Sequence, residues 1–167
     1  MNKSIATAGA LAALMLTSSP AAAVSPVTQA TANAHVYKAL QISFVQNLDF
    51  GALALASGSW TTQLISMDQA GTLTGCGGNV TCSGAAQPAK YHLFGTNNSV
   101  VKITAPPFNL NGPTTIAFTP NAPLTVNLGP GGLATGVDFS IGGSITLTST
   151  TPEGLYTGNF AVTADYQ

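Results

Sequence analysis

Beyond its first 23 residues the chain carries few groups able to do chemistry: two cysteines, two histidines, five acids and three lysines among many serine and threonine hydroxyls. Cys76 and Cys82 close the run Gly75-Cys76-Gly77-Gly78-Asn79-Val80-Thr81-Cys82. In an oxidising compartment such a close pair is expected to form a disulfide. The loop is short, so it should add only roughly 2 kcal/mol and pin a hairpin tip. A zinc site is the competing use, but His35 and His92 make no recognisable ligand spacing with the pair, and no metal or cofactor is expected. The sequence has no Gly-x-Ser-x-Gly elbow, no His-Glu-x-x-His and no evident carboxylate pair, so it reads as a non-enzyme. Asp49 and Asp138 read as turn caps or solvent-facing acids, and His92 as a strand or surface residue. Trp60 and Tyr91 are the candidates for stacking on a sugar, although a lone tryptophan more often plugs a core.

The elements that must position these groups follow from composition. From Val24 onward, Lys38, Lys90 and Lys102 stand against Asp49, Asp68, Asp138, Glu153 and Asp165, a net charge of 3 − 5 = −2, with no arginine. That speaks against nucleic acid as a partner, because phosphates call for clustered cations. Thr, Ser, Asn, Gly and Ala supply a neutral surface with little charge repulsion between copies. Residues 1–23 read as a signal peptide: Lys3, an apolar run from Ile5 to Leu16, then Ala21-Ala22-Ala23. The run is shorter than the roughly 20 residues that span a bilayer, so no transmembrane segment is expected in the mature protein. The remaining 144 residues, 167 − 23, suit one domain.

Short runs rich in Val, Ile, Thr, Phe and Tyr recur between Gly, Pro and Asn clusters, the pattern of an antiparallel sandwich. The expected strands are 34–44, 48–53, 61–66, 90–94, 99–105, 114–119, 124–128, 136–147 and 158–166. Prolines 106, 107, 113, 120, 123, 130 and 152 are expected between them. Asn111-Gly112, Gly129-Pro130-Gly131-Gly132 and Gly142-Gly143 are read as turns, and the regular turn spacing points to an all-β, immunoglobulin-like sandwich over residues 35–167.

Residues 24–34 differ in kind, lacking large apolar side chains, and are expected to form a mobile arm. From there Ala30, Ala32, Ala34 and Val36 alternate with Thr31, Asn33, His35 and Tyr37, a period-two pattern with one small apolar face. The last stretch also alternates: Phe160, Val162, Ala164 and Tyr166 share one face, opposite Asn159, Ala161, Thr163 and Asp165.

This C-terminal pattern resembles the signature of chaperone–usher pilins: a penultimate tyrosine (Tyr166), alternating apolar residues before it, and a glycine fourteenth from the end (Gly154). Asn47-Leu48-Asp49-Phe50-Gly51 and Gly154-Leu155-Tyr156-Thr157-Gly158 resemble the domain-of-unknown-function 4402 family, itself similar to spore coat protein U and secreted pilin-like proteins. The pilin resemblance implies a sandwich lacking one strand. A periplasmic chaperone fills the gap, an outer-membrane usher exports the subunit, and a neighbour's arm replaces the chaperone in a head-to-tail homopolymer at the surface of a Gram-negative cell. Carried onto this chain, Ala30, Ala32, Ala34 and Val36 are the donor residues. Gly154, Phe160, Val162, Ala164 and Tyr166 mark the groove edge first met by the chaperone. The alternative is a secreted monomeric β-sandwich that binds carbohydrate or coats the cell.

Overall fold

The computed structural model describes residues 27–167; the expected leader lies outside them. Residues up to Ala34 form one unit and His35–Gln167 another. Val27–Ala34 is exposed throughout and contains no strand.

The second unit is all-β, with twelve strands in antiparallel pairs: β1 (Gln41–Gln46), β2 (Ala52–Leu55), β3 (Gln63–Met67), β4 (Leu73–Thr74), β5 (Val80–Ser83), β6 (Ala89–Phe94), β7 (Val100–Thr104), β8 (Phe108–Asn111), β9 (Thr115–Asn121), β10 (Thr125–Asn127), β11 (Val137–Leu147) and β12 (Thr163–Tyr166). A seven-stranded sheet runs β1-β6-β11-β3-β4, with β9 also on β11 and β8 on β9. A three-stranded sheet, β10-β7-β12, and a two-stranded sheet, β2-β5, complete the set. The described residues contain no helix, and hence none able to cross a membrane.

The long strand β11 serves two hydrophobic cores. Its first half pairs with β6, and Phe139 and Ile141 join Leu93, Val101, Ile103 and Leu128 between the large sheet and β10-β7-β12. Its second half pairs with β3 and β9, and Ile145 and Leu147 join Phe50, Ile65, Met67 and Phe118, with β2-β5 contributing Val80. Phe108, Phe118 and Phe160 connect the two cores, with ring centroids 4.7, 5.2 and 6.0 Å apart.

Gly142-Gly143, expected as a turn, instead lies inside β11 where the strand changes neighbours. Ile141, Gly142 and Gly143 are buried in succession, which breaks the period of two. A Cβ on Gly142 would overlap the Met67 carbonyl, and one on Gly143 the Phe118 ring. Close approach, not turn geometry, therefore calls for glycine at both positions. Pro120 corrects a second expectation, for it stands within β9 opposite Gly143. There β8 has already ended, at Phe108 opposite Phe118, so β9 is paired on one side only and its missing amide donor is tolerated.

The run expected as a strand over 48–53 is interrupted, with Asp49 making an isolated bridge to Gln87 before the chain bends at Phe50-Gly51. Asp49 Oδ1 accepts the Gly51 amide at 2.8 Å, Gly51 takes a φ of +73°, and Phe50 turns inward to be buried. Only Ala52–Leu55 continues as a strand. The first strand starts at Gln41 rather than Ala34, and the last at Thr163 rather than Gly158. Three short strands, β4, β5 and β8, were not expected from the sequence. The Cys76–Cys82 disulfide forms as expected, its Cα atoms 5.5 Å apart. It spans the base of a two-residue turn, Gly78-Asn79, closed by the Gly77 amide donating to the Val80 carbonyl at 2.7 Å.

Candidate assembly edge

The C-terminal alternation is realised as read. Phe160, Val162, Ala164 and Tyr166 are half-buried against the second core, while Asn159, Ala161, Thr163 and Asp165 are exposed. β12 pairs with β7 through Thr163↔Thr104, Ala164↔Ile103, Asp165↔Lys102 and Tyr166↔Val101, and the Gln167 amide donates to the Val100 carbonyl at 3.1 Å. In an antiparallel ladder the hydrogen-bonded pairs alternate. With Gln167 bonded to β7, Asp165 and Thr163 also direct their backbone groups to β7. Those of Ala164 and Tyr166 point the other way, to an edge that pairs with no strand among the described residues.

Tyr166 fixes the end of this edge. Its hydroxyl donates to the Lys38 carbonyl at 2.9 Å and accepts the Thr96 amide at 2.7 Å, and its ring stacks on Tyr37 with centroids 4.8 Å apart. Gly95 makes room for the hydroxyl. A Cβ at Gly95 would overlap the Tyr166 oxygen and approach Leu128 Cδ1 to 2.8 Å and Leu40 Cδ1 to 2.9 Å. Leu40 and Tyr166, from the two sides of the second core, thus converge at Gly95.

β1 is the other border. It pairs with β6 alone, placing Ile42 opposite Leu93 and Phe44 opposite Tyr91. Directly opposed residues share a face, so Ile42 and Phe44 lie on the core side. Yet exposure climbs across the sheet toward this edge. In the row Phe139–Tyr91–Phe44, Phe139 is 7% exposed, Tyr91 is half-buried and Phe44 is 58% exposed; in the next row Leu93 is 0% and Ile42 37% exposed. Tyr91 stacks on Phe139 at 5.5 Å and meets Phe44 edge-on at 6.1 Å. Burial raises the pKa of its hydroxyl above the ordinary value by desolvating the phenolate. β1 and β12 thus each end a sheet with one edge that pairs with no strand among the described residues, and on β1 the core-side Ile42 and Phe44 are exposed.

The remaining sequence-derived residues fall as follows. Gly154 does not lie on the β12 edge; it is in the preceding loop, at φ +150°, where a Cβ would meet the Pro113 ring at 2.5 Å. Its run has a different task. Thr157 exchanges both backbone hydrogen bonds with Asn111, at 2.7 and 2.9 Å, and so bridges to β8 beside the first core. Ala30, Ala32 and Ala34 are exposed in the first unit, and Val36 is 89% exposed in the second. Trp60 packs against the first core with its indole nitrogen donating to the Ala56 carbonyl at 3.3 Å, and Tyr91 packs against the second. His92 and Asp138, read separately from the sequence, are cross-strand partners: Nδ1 contacts Asp138 Oδ1 and Nε2 lies 3.0 Å from the Thr135 carbonyl. Both ring nitrogens are therefore engaged by oxygens of the chain. Among the described residues no three His, Cys, Asp or Glu side chains gather as a metal site.

Leu40, Ile42, Phe44 and Gly95 were not singled out from the sequence. The signal available was the large apolar residues at 40, 42 and 44 directly after an arm of small ones.

No curated protein and no solved structure matches the chain. A family model described as "Domain of unknown function (DUF4402)" matches residues 40–166, from the Leu40 contact at Gly95 to Tyr166, and the chain belongs to that family.

Proposed function

We propose that this protein is a structural subunit of an extracellular filament, assembled by donor-strand exchange along a chaperone–usher-type route. The carrying observation is the exposure of core-facing Ile42 and Phe44 beside a β12 edge whose Ala164 and Tyr166 backbone groups point outward. An open edge beside exposed apolar side chains is an aggregation hazard when left bare. One added strand removes both faults, pairing the backbone and covering apolar surface with alternate side chains. A neighbour's residues 30–36 have the required period. Insertion of one subunit's arm into the next is a heterologous contact that does not close, so it builds a fibre rather than a ring. A periplasmic chaperone fits the interval before assembly, when the edge has to be covered.

The reading is tested by deleting residues 24–34 from the mature chain and examining the purified protein by electron microscopy. Filaments are expected from the intact chain and discrete subunits from the truncated one. Abundant filaments from the truncated chain contradict the reading.

A further inference from the structure

We infer that Tyr166 and Thr96 form a clamp on the Lys38 peptide unit, which fastens the segment 35–39 to the sandwich and shields the Lys38–Ala39 bond from proteolysis. The inference concerns a single subunit and stands apart from the filament reading. From His35 to Leu40 the chain contains no strand, and all but Leu40 are exposed. Among these six residues Lys38 alone hydrogen-bonds to the rest of the described chain. Its amide donates to Thr96 Oγ1 at 2.7 Å, and its carbonyl accepts the Tyr166 hydroxyl at 2.9 Å. The two clamping residues also brace each other, for the Thr96 amide donates to the Tyr166 oxygen at 2.7 Å. The last strand of the chain thus holds the segment that leads into the first one.

Little else fastens this segment. Tyr37 stacks on the Tyr166 ring at 4.8 Å, and Leu40 packs on the second core. A cavity of about 420 Å³, lined by Lys38, Ala39, Gln41, Phe94 and Leu133, leaves it unpacked on one side. The clamp also bears directly on the chemistry of cleavage. A protease cutting after Lys38 has to take the Lys38 carbonyl into its own oxyanion site. That carbonyl is the one held by Tyr166, so the clamp has to open first. Cleavage there would separate everything before Ala39 from the sandwich.

The test is limited proteolysis of the mature chain with trypsin, at a concentration low enough to keep subunits discrete. From Val24 onward the basic residues are Lys38, Lys90 and Lys102, the last two inside β6 and β7. Local opening of the clamp should make Lys38 the first site cut, at a rate nearly flat in urea below the unfolding transition. Cutting at Lys90 and Lys102 requires unfolding and should rise with urea. Tyr166→Phe keeps the ring that stacks on Tyr37 and removes the hydroxyl. Thr96→Val keeps the side-chain shape and removes the oxygen that accepts the Lys38 amide. When opening is fast relative to cleavage, the rate follows the open population. Each variant is therefore expected to speed cleavage after Lys38 by roughly 5-fold, the scale of one net hydrogen bond, with that cleavage still insensitive to urea. Should Tyr166→Phe fail to fold, Thr96→Val decides alone. A parent cut at all three sites at the same rate, or a Lys38 rate unchanged in either folded variant, overturns the clamp.

Discussion

The two cores share β11 but are finished differently. Around the first, the partly buried apolar residues at the margin, among them Leu73, Phe108 and Leu110, all stay at least half covered, and Thr157 bridges β8. Around the second, exposure rises from Phe139 to Phe44 and from Leu93 to Ile42, and β12 presents a bare edge. β11 thus supports one margin whose apolar side chains stay half-buried and another at which Ile42 and Phe44 are exposed. The difference lies in how far the core-side residues at each margin are covered, since β4, β2 and β5 beside the first core are also paired on one side only.

The largest effect expected from this contrast is in the first core. Phe118→Ala should cost about 3–5 kcal/mol, because its ring is buried and touches Phe50, Phe108 and Phe160. Phe44→Ala, on the same side of the sheet but at the open margin, should cost no more than about 1 kcal/mol in the isolated subunit. Denaturant unfolding of the two variants measures both. Equal costs would mean that the second margin is as closed as the first.

Next comes the disulfide hairpin at the margin of the first core, to which it contributes Val80. Replacing Cys76 and Cys82 together with serine removes a cross-link over six residues of sequence separation and should cost about 2 kcal/mol. The pairings β2–β5 and β1–β6 should persist, seen as unchanged far-ultraviolet circular dichroism. A loss nearer that of Phe118→Ala would mean that the disulfide holds the first core together.

The smallest effect is electrostatic and belongs to the open core. Tyr91 has its hydroxyl pKa raised by desolvation. In the unfolded chain tyrosine ionises near ~10, so above that pH the folded state holds the proton longer than the unfolded state does. The stability tied to Tyr91 is therefore complete below ~10 and is lost as pH rises through the folded pKa. Tyr91→Phe should flatten this alkaline decline in unfolding midpoints measured from pH 9 to 11. An unchanged decline would place the sensitivity elsewhere.

Much of this was legible in the sequence, and what was not has a physical cause. The runs rich in Val, Ile, Thr, Phe and Tyr at 90–94, 114–119, 136–147 and 158–166 mark strands, and β6, β9, β11 and β12 overlap them. β8 is hidden because its four residues stand between Pro106-Pro107 and Gly112-Pro113, where turn chemistry masks a short strand. Gly142-Gly143 looks like a turn because the need for close approach comes from Met67 and Phe118, distant in sequence. The Tyr166 face was readable from its period. Its counterpart was not: 40, 42 and 44 carry the same period, but which strand edge is left unpaired is decided by tertiary neighbours.

The central claim concerns the β12 edge and is tested most directly by amide hydrogen exchange at Ala164 and Tyr166, with Asp165 as the internal control. In the subunit lacking residues 24–34, Ala164 and Tyr166 should exchange quickly while Asp165, bonded to β7, is protected. In material assembled from the intact mature chain, all three should be protected, as expected when an added strand pairs the edge. Assembled material in which Ala164 and Tyr166 still exchange as in the truncated subunit would contradict strand addition at this edge.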